Sequence, residues 1–204
     1  MIMETIIINS PKDLKKHQDE YWIHIKWNCE INCSLWLDDL PKRLLVDWYL
    51  LIEVGGSIEV GGSIEAGGFI EAGGFIEVGG SIEAGGSIEA GEYIKVGGSI
   101  EAGEYIEAGR YIEAGNNYWI SAWLSITCKW ELNFWLKAFA GVCTWRKTTD
   151  EDKTITCWKL VNWTIEYGIL KETGIEEEKK IIIIDWKEIK ISKESYEELK
   201  RSLN

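Results

Sequence analysis

Glutamate is the side chain whose spacing in this chain most suggests a chemical role. Between Leu51 and Asn117 it recurs every six residues, and this stretch holds twelve Glu against Lys95 and Arg110. The stretch therefore carries −10 of the net charge of −12. Evenly spaced carboxylates can attract cations or basic macromolecules, or simply keep a surface hydrated.

Other reactive side chains are few. The two histidines, His17 and His24, both precede the repeat, and neither a phosphate-binding loop nor a nucleophile motif is visible. Cys29 and Cys33 share a strand side four residues apart, a spacing that does not match a zinc site. The glutamates also lack the Gly/Asp nonapeptide pattern that binds calcium. We therefore expect no enzymatic activity, no catalytic residue, no metal and no cofactor.

The glutamates belong to a six-residue repeat of the form Ile-Glu-Val/Ala-Gly-Gly-Ser/Phe. Within one unit Ile and Val/Ala point one way and Glu the other, which predicts a short strand closed by a glycine turn. A fixed short period predicts a solenoid, in which each unit buries its apolar side by stacking on its neighbours. The first turn glycine never varies, which predicts a positive φ. The second position admits Glu92, Glu104 and Arg110, so it is expected to face solvent.

Sorting the units by every third one separates three classes, which predicts a three-sided β-helix with three repeat units, and hence eighteen residues, in each coil. In one class a serine precedes each isoleucine. In the other two this place is often aromatic, as at Phe75, Tyr93 and Tyr111 in one class and at Tyr105 in the other. Val54 is predicted to point inward as the first member of the third class.

The unit Ile58-Glu59-Val60-Gly61-Gly62-Ser63 resembles the hexapeptide-repeat family, whose motif starts with an aliphatic residue followed by Gly, Ala, Glu or Asp. The resemblance covers about a third of the chain and implies a left-handed β-helix. The family's register would bury Glu92, Glu104 and Arg110, so a shifted register is expected. Many family members are trimeric acyltransferases with a catalytic histidine in a coil near an extruded loop. This repeat has neither feature, so acyl transfer is the least favoured function.

The limits of the repeat divide the chain into four segments. Residues 1–51 are predicted as N-terminal capping strands, 52–117 as the β-helix, 118–171 as a Trp-rich β-sheet cap and 172–204 as a β-α tail. Alternating apolar positions predict one long or two bent strands over residues 21–37 and a meandering sheet after residue 117. Ser192 fits the N-cap of a short helix that reaches Leu203. The fold class is thus all-β, with a three-sided solenoid, capping strands at both ends and a short C-terminal helix.

Five tryptophans fall on the otherwise polar sides of their strands, namely Trp22, Trp36, Trp119, Trp123 and Trp135. Either both strand faces are covered, or these side chains form an interface with a partner or with a second copy in a homodimer. The outward aromatic residues of the repeat leave a similar choice between stacking coil on coil and contacting a partner.

The composition also indicates the cellular compartment in which the protein is expected. No apolar run is long enough for a membrane span, and the first residues lack the pattern of a secretory signal. Five scattered cysteines favour reduced thiols, so we expect the cytoplasm, and the Ile/Lys/Glu/Asn-rich composition fits a bacterial or phage-infected cell. The acidic net charge argues against direct binding to nucleic acid and for basic partners.

Stacked coils lie about 4.8 Å apart, so three carboxylates per coil give one negative charge per about 1.6 Å of axis. Double-stranded DNA carries one charge per roughly 1.7 Å. In shape and charge the chain resembles the pentapeptide-repeat proteins that mimic DNA towards gyrase and the small acidic anti-CRISPR proteins of phages. This resemblance implies an inhibitor that occupies the basic groove of a nuclease, a CRISPR effector or another nucleic-acid-binding protein. The predicted partner-binding residues are Glu59, Glu65, Glu71, Glu77, Glu83, Glu89, Glu101, Glu107, Tyr93, Tyr105 and Tyr111.

Two other hypotheses compete with mimicry. Glutamate could serve only to solubilise an amplified repeat, although alternating Glu and Lys would do so with less repulsion. The chain is also similar to bacterial polymer-forming cytoskeletal solenoids, which need stackable ends, whereas long irregular sequences flank this repeat at both ends.

Overall fold

The alternation of apolar and polar residues produces short parallel β-strands that wind around a three-sided solenoid. The structure, a computed structural model, describes residues 4–37, 43–161, 164–174, 180–184 and 187–191. The chain divides into two compact units, Met1–Glu172 and Thr173–Asn204. Within the part of the chain that the structure describes, no helix has the length and apolar character needed to cross a membrane.

The solenoid begins before the repeat. A helical turn α1 (Pro11–Leu14) and a 3-10 turn (Lys15–His17) follow the first strand, and the strands are β1 (Thr5–Ile8), β2 (Ile23–Ile25), β3 (Asn28–Ile31), β4 (Leu35–Leu37), β5 (Arg43–Val46) and β6 (Leu50–Ile52). The region predicted as one long or two bent strands thus contains three strands, and each belongs to a different sheet. Cys33 lies in the turn after β3. The prediction that it shares a strand with Cys29 is therefore wrong.

The repeat itself supplies ten strands. They are β7 (Ile58–Val60), β8 (Ser63–Ala66), β9 (Ile70–Ala72), β10 (Ile76–Val78), β11 (Ile82–Ala84), β12 (Ile88–Ala90), β13 (Ile94–Val96), β14 (Ile100–Ala102), β15 (Ile106–Ala108) and β16 (Ile112–Ala114). Ile58, Ile76, Ile94 and Ile112 lie in direct register on successive coils, each three repeat units after the one before. The predicted three-sided coil of three repeat units is therefore confirmed.

The C-terminal strands continue the same solenoid. They are β17 (Ile120–Ala122), β18 (Ile126–Cys128), β19 (Glu131–Asn133), β20 (Ala138–Ala140), β21 (Thr154–Cys157), β22 (Lys159–Val161), β23 (Ile165–Tyr167) and β24 (Ile169–Glu172), with a 3-10 turn at Glu151–Lys153. These strands pair in parallel with the coils before them, so the prediction of a meandering sheet is wrong. The six-residue period disappears here because extra residues enter the turns while the strands keep their register.

Three sheets form the sides of the solenoid. Sheet A has the order β1-β3-β6-β9-β12-β15-β18-β21-β24, sheet B the order β2-β5-β8-β11-β14-β17-β20-β23 and sheet C the order β4-β7-β10-β13-β16-β19-β22. Along the repeat the chain passes from A to C to B, so the three sequence classes correspond to the three sheets. In the second unit β25 (Lys180–Ile184) and β26 (Lys187–Ile191) form an antiparallel hairpin. The predicted helix from Ser192 lies outside the described residues.

The first repeat unit is out of phase with the others. Leu50, not Ile52, pairs with Ile70, and Ile52 takes the place of the inward alanine by pairing with Ala72. The two residues gained in this coil form a turn, in which Gly55 has a φ of +80°. Val54 is consequently 99% exposed, which contradicts its predicted inward position. Glu53 likewise leaves the outward strand position and lies in the exposed part of this turn.

The invariant turn glycines have a different cause from the predicted one. Among the described residues positive φ occurs at Gly55, Gly141, Gly168 and Asn117, and hence not at the other repeat glycines. A Cβ at Gly97 would instead overlap the carbonyl oxygen of Gly79 in the preceding coil, and the same holds at most equivalent positions. Glycine is thus required by the close approach of backbones between coils.

The core is a column of stacked apolar side chains. The inward isoleucines of the repeat are fully buried, and Phe134 extends the core with no exposed area. At the N-terminal end Leu14 of α1 is fully buried. At the other end Glu172 pairs with Cys157 in register, and its Oε1 accepts the backbone N–H of Leu160 at 2.7 Å. The N-terminal end of the core is therefore covered by α1, whereas at the C-terminal end Leu170, which pairs with the buried Ile155, is 38% exposed.

Candidate functional site

The outward residue of each repeat strand lies directly over its counterpart in the next coil, so the glutamates form three columns. Glu71, Glu89 and Glu107 follow one another on sheet A. Sheet B carries Glu65, Glu83 and Glu101, and sheet C carries Glu59, Glu77 and Glu113 with Lys95 between the last two. The columns include all eight glutamates that the sequence predicts as partner-binding.

The columns differ in how far their carboxylates reach into solvent. Glu71, Glu83 and Glu107 are exposed, whereas the other column glutamates are partly covered by their neighbours. Within the part of the chain that the structure describes, these three carboxylates form neither a side-chain hydrogen bond nor an ion pair. They are therefore the carboxylates best placed to meet a partner.

Several of the remaining glutamates are already engaged. The Nζ of Lys95 lies 2.7 Å from Oε1 of Glu77, and this hydrogen bond raises the pKa of the Lys95 ammonium. Arg43 contacts Glu65 at 3.0 Å, and the indole N–H of Trp119 donates to Glu101 at 3.1 Å. The two cations lower the net negative charge on sheets B and C, and the indole occupies one carboxylate oxygen of Glu101.

The three predicted tyrosines lie at two corners of the solenoid. Phe75, Tyr93 and Tyr111 form a parallel stack with ring centroids 4.8 Å apart, and the hydroxyl of Tyr93 donates to Glu77 at 3.4 Å. At the next corner the hydroxyl of Tyr105 donates to Glu89 at 2.6 Å.

The titration of these tyrosines follows from the same contacts. The hydrogen bond to Glu89 raises the pKa of Tyr105, and burial raises the pKa values of Tyr93 and Tyr111. Both faces of the Tyr93 ring are covered, so this aromatic stack joins coil to coil. It offers a partner mainly ring edges.

A shallow groove of about 390 Å³ follows sheet C along the axis. Its walls are the outward column of Glu59, Glu77, Lys95 and Glu113 on one side and the glycine turns that follow these strands on the other. The glycines leave the floor free of side chains. The groove therefore presents carboxylates and backbone to whatever lies along it.

Of the five tryptophans predicted on the polar sides of strands, only Trp36 lies within a strand, β4, whereas the other four lie outside the strands, and all five are exposed. The five singled out in the sequence range from 36% exposure at Trp22 to 57% at Trp36, so the alternative in which both strand faces are covered is wrong. Trp130, Trp145 and Trp158 are exposed as well, and the sequence pattern does not single them out. Trp130 lies one coil beyond Arg110 at the same corner, and the backbone N–H of Trp130 donates to the carbonyl oxygen of Arg110 at 2.8 Å. Counting coils beyond the repeat would therefore have identified Trp130 as a corner residue.

The other candidate groups do not converge. Burial raises the pKa of Cys29 and Cys128 to about 12 and that of Cys157 to about 11, which keeps all three as thiols. His24 lies 2.7 Å from Asp47 on the coils that precede the repeat. Among the described residues no three His, Cys, Asp or Glu side chains form a group that could hold a metal ion.

The second turn position behaves as the shifted register requires. Glu104 and Arg110 are exposed, and Glu92 is half-buried with a carboxylate 3.9 Å from Arg110. None of these charges enters the core.

Comparison with known proteins adds no relative to this description. No family model, no curated protein and no solved structure matches the chain. The function must therefore be argued from the columns and the surfaces beside them.

Proposed function

We propose that the protein is a non-enzymatic acidic binding protein that imitates nucleic acid. It occupies the basic groove of a nuclease, a CRISPR effector or another nucleic-acid-binding protein in a bacterial or phage-infected cell. The observation that carries this proposal is the stacking of carboxylates in register on all three sheets. A groove built for phosphates would recognise such an array by its charge and spacing.

The size of the array can be estimated from the strands. Strands β7 to β16 carry nine outward glutamates and Lys95, which gives a net charge of −8. Ten strands at three per coil and about 4.8 Å per coil occupy about 16 Å of axis, or one charge per about 2 Å. DNA carries one charge per roughly 1.7 Å and rises about 3.4 Å per base pair, so the array imitates about five base pairs.

Folding alone does not favour this arrangement. Like charges that lie directly opposite each other in a sheet are destabilising. Glu71, Glu89 and Glu107 nevertheless follow one another without a cation in their column, and the pairing of Glu77 with Lys95 is the exception among the columns of β7 to β16. A surface that needed only hydration would gain stability from more such exceptions, so the repulsion supports a use for the field.

The test is capture of partners from bacterial lysate with a matched pair of variants. The first variant, Glu71→Gln with Glu83→Gln and Glu107→Gln, removes the three exposed and unpaired carboxylates. The control, Glu4→Gln with Glu20→Gln and Glu151→Gln, changes the net charge equally at exposed sites outside the columns. A basic nucleic-acid-binding protein should bind the parent and the control, should be released by salt or by added nucleic acid, and should be lost from the first variant.

Two outcomes would refute the proposal. Equal capture by both variants would show that the columns do not carry recognition. Recovery of the protein alone, in large assemblies by sedimentation, would favour the self-assembling solenoid. A discrete homodimer through the exposed tryptophans is compatible with mimicry where it leaves the columns open, although Trp36 lies at the end of the sheet C column in register with Glu59. Direct binding of the protein itself to nucleic acid is not expected.

A further inference from the structure

The aromatic stack of Phe75, Tyr93 and Tyr111 ends abruptly. In the next coil Ile112 pairs with Leu132, so the place over Tyr111 belongs to Glu131, which has no ring. A cavity of about 380 Å³ opens there, lined by Tyr111, Lys129, Trp130, Glu131 and Trp158. Its lining residues other than Tyr111 all come from later coils, so the cavity meets the ring face of Tyr111 that Tyr93 does not cover.

Two tryptophans stand beside this vacant step. Trp130 and Trp158 occupy the same corner of successive coils, joined by a backbone hydrogen bond of 2.8 Å, and they are 56% and 50% exposed. Adjacent indoles with this much exposed area are typical of binding anchors. The cavity volume lies within the range of small-ligand pockets.

The molecule itself shows what such indoles bind. Three exposed tryptophans each carry an arginine guanidinium over the ring: Arg43 over Trp22 at 5.3 Å, Arg110 over Trp130 at 5.6 Å and Arg146 over Trp145 at 5.5 Å. Trp158 has no such cation among the described residues. The carboxylate of Glu131, exposed at the cavity wall, could bond a guanidinium edge.

We propose that this cavity binds the guanidinium group of an arginine side chain presented by the basic partner. The flat cation continues the aromatic stack over Tyr111, packs against Trp158 and donates hydrogen bonds to Glu131, while Trp130, whose ring already carries Arg110, forms the adjacent wall. Guanidinium suits the step better than ammonium because it is planar and less strongly hydrated. That an arginine of a partner fills the cavity rests on the proposed function, whereas the preference for guanidinium does not.

The test follows the indole N–H signals of Trp130 and Trp158 by two-dimensional NMR, assigned with Trp→Phe variants. The probes are N-acetyl-arginine amide, N-acetyl-lysine amide and methyl glucoside. The arginine amide should move both signals and bind about two- to fivefold more tightly than the lysine amide. Equal binding of the two cations, or shifts from the glucoside alone, would overturn the proposal.

Variants of the lining residues test where the probe binds and which charge the cavity prefers. Tyr111→Ser should weaken binding of the arginine amide about two- to fivefold, and Ser57 shows that serine is tolerated in this column. Lys129→Gln should strengthen binding because it removes a like charge, whereas Glu131→Gln should weaken it. A weakening by Lys129→Gln would show that the charge of Lys129 does not oppose the arginine amide and would refute the inference.

The two proposals fail separately. The Glu71, Glu83 and Glu107 variant leaves the cavity untouched, so it should bind arginine amide like the parent. If partner capture fails while the amide still binds, the mimicry proposal is refuted and the guanidinium site is supported. If the amide does not bind while capture depends on the columns, the guanidinium site is refuted and the mimicry proposal is supported.

Discussion

Replacing one exposed turn glycine by alanine should destabilise this solenoid far more than replacing another. Gly97 and Gly61 lie at equivalent corners and both are exposed, so an argument from burial alone predicts that both are tolerated. At Gly97, however, a Cβ would overlap the carbonyl oxygen of Gly79 and lie 3.0 Å from its carbonyl carbon. At Gly61 no described residue lies within 4 Å of the new atom.

The expected cost follows from the bonds that hold these coils together. To accept Gly97→Ala the corner must move away from the coil before it. That movement stretches the hydrogen bonds from Gly97 to Val78 and from Gly98 to Gly80, which are both 2.7 Å long. Losing two such bonds costs about 1–3 kcal/mol, and the overpacking adds about 1–3 kcal/mol. We therefore expect Gly97→Ala to lower the free energy of unfolding by about 2–6 kcal/mol.

Gly61→Ala should act in the opposite direction. Its backbone has no positive φ and no described residue crowds the new atom, so the stiffer unfolded chain should add about 0.4–1 kcal/mol of stability. A second control is Gly86→Ala, whose Cβ would approach the Gly68 carbonyl carbon only to 3.3 Å and whose counterpart one coil on is Glu104.

The assay is urea unfolding followed by far-UV circular dichroism, together with amide hydrogen exchange at Gly97 and Gly98. Faster exchange confined to this corner would locate the damage between the two coils. Equal unfolding midpoints for Gly97→Ala and Gly61→Ala would refute the argument that backbone approach, rather than φ, fixes the turn glycines.

Two further predictions concern charge and protonation. The triple Gln variant at Glu71, Glu83 and Glu107 removes four contacts between like charges in register. Its free energy of unfolding should therefore rise by about 1–2 kcal/mol at low salt, and this gain should disappear near 1 M salt. Urea titrations at both salt concentrations would measure the difference. A gain that persists at high salt would contradict an electrostatic origin. The raised pKa of Cys29, Cys128 and Cys157 means that unfolding releases protons above pH 9, so stability should be full below pH 9 and fall towards pH 11. A triple Cys→Ala variant should lack this additional fall.

The sequence predicts the solenoid well where one repeat unit determines the next. Ile76 and Ile94 have closely similar neighbours, so their register and the outward position of the glutamates follow from the period alone. The first unit is harder to place because Leu50-Leu51-Ile52 is apolar in every position and fits two phases. Pairing with the buried Cys29 in the coil before and with Ile70 in the coil after selects the phase with Leu50 inward.

The strands that flank the repeat cannot be placed from the six-residue period, for a related reason. Ile126 pairs with Ile155, a separation well beyond the three repeat units of a regular coil, because the loop that ends at Lys153 is added at one corner. In that loop Arg146 holds Asp152 through two hydrogen bonds of 2.9 and 2.7 Å. A search for a constant spacing misses such a coil, although its strands alternate like the others. It misses the cavity beside Tyr111 as well, because the tryptophans of that cavity come from coils on either side of this loop.

The charged columns and the serine and aromatic residues at the corners have opposite effects on the spacing of the coils. Carboxylates in register push neighbouring coils apart, so the corners must hold the coils at a fixed spacing. At one corner the hydroxyl of Ser63 accepts the N–H of Ser81 at 3.1 Å, and Ser81 does the same for Ser99 at 3.2 Å. At another the aromatic stack does so with rings 4.8 Å apart. Because the corners keep this spacing with Lys95 as the one cation inside the glutamate columns, the field of the columns remains available to a basic partner.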